Sequence, residues 1–258
     1  MRATLAGTCL WFGVICTPVP AWADSIAWPQ PDGKGTQVVL TYSFSNLFDG
    51  QFNSELSEEA MREAAAAAFA IWARHAPLHF RETVDLGPPP GEDEYHVGPG
   101  TPDIRIGYME TLPGGAAAHA HLPTGYAQPK QSGLAGDVHF SNDVSAFGTR
   151  TWGAAIDGEF ALDFFSAMLH EVGHAIGLHH LFDTQAVMGN VFLVFEDWAA
   201  ADLLPGDIDA LRALYGAGNG SVQTLGSPGP PIPEPGTIAM IATGLWWIGS
   251  RRFRRLHA

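Results

Sequence analysis

The sequence predicts an α+β domain organised around one late, buried helix, and three observations carry that reading. Between residues 37 and 140, short apolar, β-branched stretches read as strands, interrupted by one long amphipathic helix. A helix beginning near Asp163 carries His170-Glu171-x-x-His174, which Gly177 and His180 extend to His-Glu-x-x-His-x-x-Gly-x-x-His. With both ends set aside, the 258-residue chain leaves enough length for one domain with its own core.

Residues 1–23 read as an export signal. Arg2 gives the positive start, Leu5 to Cys16 is mostly apolar, and Ala21-Trp22-Ala23 is a small-x-small cleavage site. Signal peptidase would leave Asp24 as the mature start. Both cysteines, Cys9 and Cys16, fall inside this segment, so the mature chain is expected to hold no disulfide. Control of activity is then expected to use something other than a cysteine. Residues 24–35 are rich in Pro and Gly and read as irregular.

Gln37 to Phe44 is the first strand. Ser57 caps a helix with Glu58 and Glu59 in its first turn. Met61, Ala65, Ala68, Phe69 and Trp72 keep helical spacing, and Pro77 closes the segment. His75 and His79 flank its end and read as surface or boundary residues. Leu78 to Val84 and Asp103 to Met109 are further strands. The five Pro, four Gly and three acidic residues of 87–102 mark a loop between them. Gly136 to Phe140 is another strand, and residues 145–158 read as a loop containing Trp152. Asp163 caps the histidine helix. Phe164, Phe165, Met168, Leu169 and Val172 make it apolar nearly all round, as a central buried helix is. Pro205 to Gly216 reads as a short helix ending at Gly.

The chemistry follows from spacing. His170 and His174 are four residues apart, so both imidazoles leave one helix face and supply half of a tetrahedral zinc site. Glu171 then sits beside the metal, where it can take a proton from a water activated there. Gly177 tolerates positive φ, lets the helix end, and turns His180 back as a third ligand. Three protein ligands leave a position open, the mark of a catalytic zinc. His179 adjoins His180 and could compete with it, although the Gly-x-x-His spacing favours His180.

Met188 falls eight residues after His180. At this point the sequence resembles the metzincins, and across roughly residues 36–216 its order of elements resembles the matrixins. That resemblance implies a twisted, mostly parallel sheet with an antiparallel edge strand, a long first helix, a central zinc helix, a Met-containing turn at Met188 and a C-terminal helix. It implies zinc as cofactor and a protein or peptide as substrate. In matrixins a segment similar to Pro113-Gly-Gly-Ala-Ala-Ala-His119-Ala is the edge strand against which substrate pairs. Small side chains at Ala116, Ala117 and Ala118 suit such close backbone approach. Residues 189–204 would wall the pocket for the side chain after the cleaved bond, with Phe192, Leu193, Val194, Phe195 and Trp198 as apolar candidates. The histidines corresponding to His119 and His139 help hold a second, structural zinc in animal relatives, together with an upstream His-x-Asp pair. This chain has Tyr108-Met-Glu-Thr-Leu-Pro there instead. A second zinc on His119, His139 and Asp137, or completed by another residue such as His121, stays open. So does calcium: Ser141 and Val144 stand where the family has carboxylates, while Asp137, Asn142 and Asp143 remain.

Residues 217–232 read as a flexible linker. Pro233-Glu234-Pro235, an apolar run from Ile238 to Ile248, and arginines at 251, 252, 254 and 255 then resemble the bacterial PEP-CTERM sorting tail. The resemblance implies residues 233–258 as a transient membrane anchor, an exosortase-type enzyme as partner, and a final place in the cell envelope or outside. A permanent anchor is the plainer alternative. Removing Arg2, the four tail arginines and Glu234 from 13 basic and 27 acidic residues leaves 8 and 26, a net charge of −18. Such a domain repels nucleic acid, and no nucleic-acid function is expected. A monomer is expected. The open zinc chemistry points to a zinc endopeptidase; a zinc hydrolase of another amide, or an adhesive surface protein with a relic site, would share much of the sequence.

Overall fold

The computed structural model describes residues 27–90, 101–123, 134–154, 161–182, 186–189, 195 and 198–226. The export signal, the tail from 233 onward and Phe192 to Val194 lie outside the described residues. Among those described, no helix is long and apolar enough to cross a membrane.

The strands are β1 (Val38–Phe44), β2 (Leu78–Glu82), β3 (Ile104–Met109), β4 (Ala118–Ala120), β5 (Val138–Ser141), β6 (Thr151–Gly153), β7 (Ala161–Asp163) and β8 (Ser221–Gln223). Six of them form one sheet in the order β4-β5-β3-β1-β2-β8, and β6 pairs with β7 alone. Every pairing is parallel except β4 with β5, which is antiparallel at the edge. The expected class and sheet are therefore the observed ones. Parallel neighbours need a crossover, and helix α1 (Glu58–Ala73) supplies it between β1 and β2. Leu78, Phe80, Ile104, Ile106, Val138 and Phe140 are fully buried; each i, i+2 pair shares one face of the sheet.

α1 begins where Ser57 accepts a hydrogen bond from the Ala60 backbone N–H at 3.2 Å. Its buried face is Ala64, Ala65 and Ala68 with Phe69 and Trp72. The alanines allow close packing and the aromatics supply area. Helix α2 (Phe164–Ala175) lies against it, and the Trp72 Nε1–H donates to the Leu169 carbonyl at 2.9 Å. All of α2 except His174 is buried. Each large apolar side chain hidden this way contributes about 1.5–3 kcal/mol. The far end of α2 is tied down as well. Trp28 Nε1–H donates to Ala175 O at 2.9 Å, and the Tyr215 hydroxyl donates to Ile176 O at 2.7 Å. Tyr215 ends helix α3 (Pro205–Tyr215). Carbonyls that a helix end leaves without partners are satisfied here by the first and last parts of the domain.

Four expectations need correction. Residues 217–232 do not behave as linker over their first part, because Ser221–Gln223 adds β8 to the sheet, parallel to β2. Three residues between Gly220 and Thr224 give no periodic signal; the free edge of β2 selects them. Residues 145–158 contain β6, again too short to show alternation. The edge strand is Ala118–Ala120 rather than Ala116–Ala118. Pro113–Gly115 forms a 3-10 turn with Gly114 and Gly115 at φ 68° and 73°, and pairing starts only after it. His79 is buried rather than at the surface, between Gln37 and Ser221 at 2.8 and 2.9 Å.

Candidate metal centre

α2 presents His170 and His174 on one face, one turn apart. The helix stops at Ile176, and Gly177 takes φ 102°, a conformation that residues with a Cβ rarely adopt. Leu178 N–H then donates to Gly173 O at 2.9 Å, closing the helix end. The chain reverses and brings His180 back. His179, next to it, is exposed and is not one of the converging donors.

The three Nε2 atoms form a nearly equilateral triangle. His170 and His174 are 3.2 Å apart, His170 and His180 3.1 Å, and His174 and His180 3.2 Å. Zinc–nitrogen bonds of about 2.0–2.1 Å at tetrahedral angles place two nitrogens about 3.3 Å apart. The donor set therefore fits zinc in both chemistry and spacing. The outer nitrogens fix the tautomers. His170 Nδ1 lies 2.7 Å from Val187 O and His174 Nδ1 lies 2.7 Å from Leu178 O. With Nδ1–H donating to each carbonyl, both Nε2 lone pairs face the centre. Burial, with neighbouring histidines adding to it, lowers the pKa of His170 and of His174 to about 4. Both are neutral at physiological pH, the state a metal requires.

Glu171 is 2% exposed, and its Oε2 is buried without a hydrogen-bond partner. Burial alone pushes its pKa up to about 8. A cation held by the adjacent histidines favours the carboxylate, so the same burial that raises this pKa strengthens its response to a metal.

Met188 is fully buried against α2. A Cβ on Gly173 would meet Met188 Sδ at 2.2 Å and Trp72 Cζ2 at 2.8 Å. The second variable position of His-Glu-x-x-His is therefore restricted to Gly here. The turn is held from α3. Asp207, fully buried, accepts from Val187 N–H at 2.9 Å and Met188 N–H at 3.0 Å, and from Leu204 N–H at 3.3 Å. Val187 in turn accepts from His170. Asp207 and Gly173 are functional residues that the sequence reading did not single out. Asp207 had the signal of an acid in a first helical turn, and its long-range partners were not visible.

Phe195 and Trp198 pack on Phe165, at ring-centre distances of 5.9 and 5.0 Å. They join α2 to the segment expected to wall the substrate pocket. Ala117 and Ala118 are buried, and Ala117 O accepts from Ser141 N–H at 2.7 Å beside β4. Asp137 does not join a metal site. It is buried, its Oδ1 accepts from Arg105 N–H at 3.0 Å, and it is absent from both clusters of converging donors. Those clusters, among the described residues, are His170/His174/His180 and His119/His121/His139. Both are all-nitrogen, whereas calcium takes oxygen ligands. Asn142 Oδ1 accepts from Asn53 N–H, and Asp143 Oδ1 accepts from Ser145 N–H.

An α+β fold with a mostly parallel sheet and a His-Glu-x-x-His helix packed against a buried methionine defines a metzincin-type metal protein. The matrixin family model matches residues 34–216, and the chain belongs to that family. It is 30% identical over 200 residues to matrix metalloproteinase-C of Caenorhabditis elegans, covering 72% of this chain and 29% of that protein. It is 29% identical over 198 residues to matrilysin of Felis catus, covering 71% and 60%, and 29% identical over 212 residues to matrilysin of Homo sapiens, covering 77% and 64%. The chain thus spans less than two thirds of the length of these relatives.

Proposed function

We propose that the chain is an exported zinc-dependent endopeptidase. The observation that carries this reading is the Nε2 triangle of His170, His174 and His180 with the Glu171 carboxyl beside it, in a chain of the matrixin family. The three histidines would hold the metal through Nε2, and Val187 O and Leu178 O keep two of the rings in the required tautomer. Zinc, when bound, supplies a Lewis acid that polarises the scissile carbonyl and makes water acidic near pH 7. Glu171 does the proton work. Its carboxylate takes a proton as water oxygen bonds to the carbonyl carbon, and returns it to the amine nitrogen as the C–N bond breaks. An extended protein or peptide substrate pairs along β4, the edge strand of the sheet. Phe195 and Trp198 border the space for the side chain after the cleaved bond.

Signal peptidase processing after Ala23, and sorting through residues 233–258 by an exosortase-type enzyme, complete the reading, with the mature domain acting as a monomer at the envelope or outside. Digestion of casein or a peptide library by the purified chain tests it. Cleavage that chelator abolishes, zinc restores and Glu171→Ala lacks is expected. Undiminished proteolysis by Glu171→Ala would reject the mechanism. A mature C-terminus that keeps Arg251 to Arg255, seen by mass spectrometry, would reject the sorting step.

A further inference from the structure

We infer that Phe182 forms a substrate subsite for an aromatic or branched aliphatic side chain on the part of the substrate before the cleaved bond. This subsite rests on the endopeptidase reading proposed above, and it lies outside both the histidine motif and the expected pocket wall of residues 189–204.

Phe182 is the most exposed large apolar side chain among the described residues, with Leu86 next at 89%. A single exposed ring carries no meaning by its exposure alone; its place in the chain supplies it. Phe182 follows His180, the third donor of the metal triangle, by two residues. Between them Leu181 is half-buried, packs against the hydrophobic core, and donates its N–H to the Met188 carbonyl at 2.7 Å. The chain is therefore anchored at Leu181, on the same turn that supports His170. His180, Leu181 and Phe182 are in turn exposed, half-buried and exposed, the pattern of a stretch whose successive side chains face opposite ways. Phe182 thus stands on the same side as the His180 ring, whose Nε2 lies 3.1 and 3.2 Å from those of His170 and His174.

The direction of α2 decides which part of a substrate this ring meets. Phe195 and Trp198, which border the space for the side chain after the cleaved bond, pack on Phe165 in the first turn of α2. Phe182 belongs to the opposite end: Leu181 is bonded to Met188, which packs on Gly173 in the last turn. From Phe165 to Gly173 the helix advances about 12 Å, so the two aromatic groups sit toward its two ends with the metal triangle between. A substrate laid along β4 and across the metal then meets Phe195 and Trp198 on one side of the cleaved bond and Phe182 on the other. The Phe182 ring offers apolar area and no hydrogen-bonding group, so it favours a side chain that is itself apolar. Its own backbone places it, and a bound substrate would bury it.

The full chain, loaded with zinc, is given peptides that carry Gly, Leu or Phe in turn at each of the three positions before the cleaved bond and at the one after it. Mass spectrometry locates the cleaved bond. The ratio kcat/KM is measured for the wild type, Phe182→Ala and Phe182→Leu, beside zinc affinity in a chelator competition. The wild type is expected to prefer Leu or Phe over Gly at one position before the bond. Phe182→Ala is expected to cut that preference about 10-fold, the scale of one buried large apolar side chain, and Phe182→Leu to keep most of it. The preference after the bond and the zinc affinity are expected to match the wild type. Equal preference before the bond in wild type and Phe182→Ala, with zinc retained, would overturn the subsite and leave the endopeptidase reading standing. Weaker zinc binding by Phe182→Ala would also overturn it, by making the ring a support of the ligand loop. A zinc-loaded wild type that cuts none of the peptides would remove the endopeptidase reading and the subsite with it.

Discussion

At the residue scale, the site depends on a few groups whose environment matters more than their identity. Glu171 carries the proton transfer, and Glu171→Ala is expected to fold, keep zinc, and lose activity by about 10²–10⁴-fold, measured as kcat/KM beside metal content. Gly173 is a steric requirement. Its missing Cβ makes room for Met188 Sδ and Trp72. Gly173→Ala should cost about 1–3 kcal/mol through overpacking, read in chemical denaturation, and should lower activity by displacing the methionine. His179 and His180 separate cleanly. His180→Ala is expected to weaken zinc binding strongly, and His179→Ala to leave it unchanged, in a chelator competition. The ambiguity between these adjacent histidines existed only in one dimension. Both residues are exposed, and the reversal at Gly177 brings only the His180 Nε2 to those of His170 and His174.

At the element scale, α2 is positioned from both sides. Its flank rests on α1 through Trp72, its end on Trp28 and Tyr215, and its first ligand on the turn at Val187 and Met188. Asp207 links that turn to α3. Its carboxylate accepts three backbone N–H groups, and removing it leaves those donors without their acceptor, which is costly where they are buried. Asp207→Ala is therefore expected to weaken zinc binding about 10–100-fold, the usual range for a residue supporting a metal ligand, without touching the metal. Zinc affinity measured against a chromophoric chelator checks it. A residue serving only the stability of α3 would lower the melting temperature and leave that affinity in place.

At the scale of the whole molecule, the domain holds buried titratable groups of opposite sense. In the metal-free protein, Glu171 and Asp137 have folded pKa values raised by burial to about 8 and about 7. The folded state takes up their protons first, so stability rises as pH falls from about 8 toward 6.5. His170, His174, His119 and His139 are shifted the other way, to about 3 or 4. Below their unfolded pKa of about 6.5, the unfolded chain binds protons that the folded chain refuses, and stability falls as pH drops toward 4. Chelator-treated protein should thus be most stable near pH 6–7, measured by denaturant midpoints across that range. Zinc should flatten the acid limb down to the pH at which it dissociates.

The sequence by itself determined the class of fold, the position of both long helices and the identity of the metal helix. Periodicity, caps and the His-Glu-x-x-His-x-x-Gly-x-x-His spacing are local quantities, set by the geometry of one element. Tertiary structure alone decided what depends on partners distant in the chain. It made Ser221–Gln223 a strand, because only a neighbouring free edge can specify three residues with no pattern of their own. It buried His79, moved the edge strand to Ala118–Ala120, and committed Asp137 to Arg105. It also converted Asp207 from a helix-start acid into the support of the methionine turn, and set His121 beside His119 and His139. Each of these follows from packing and register between segments far apart in sequence, where no local signal reaches.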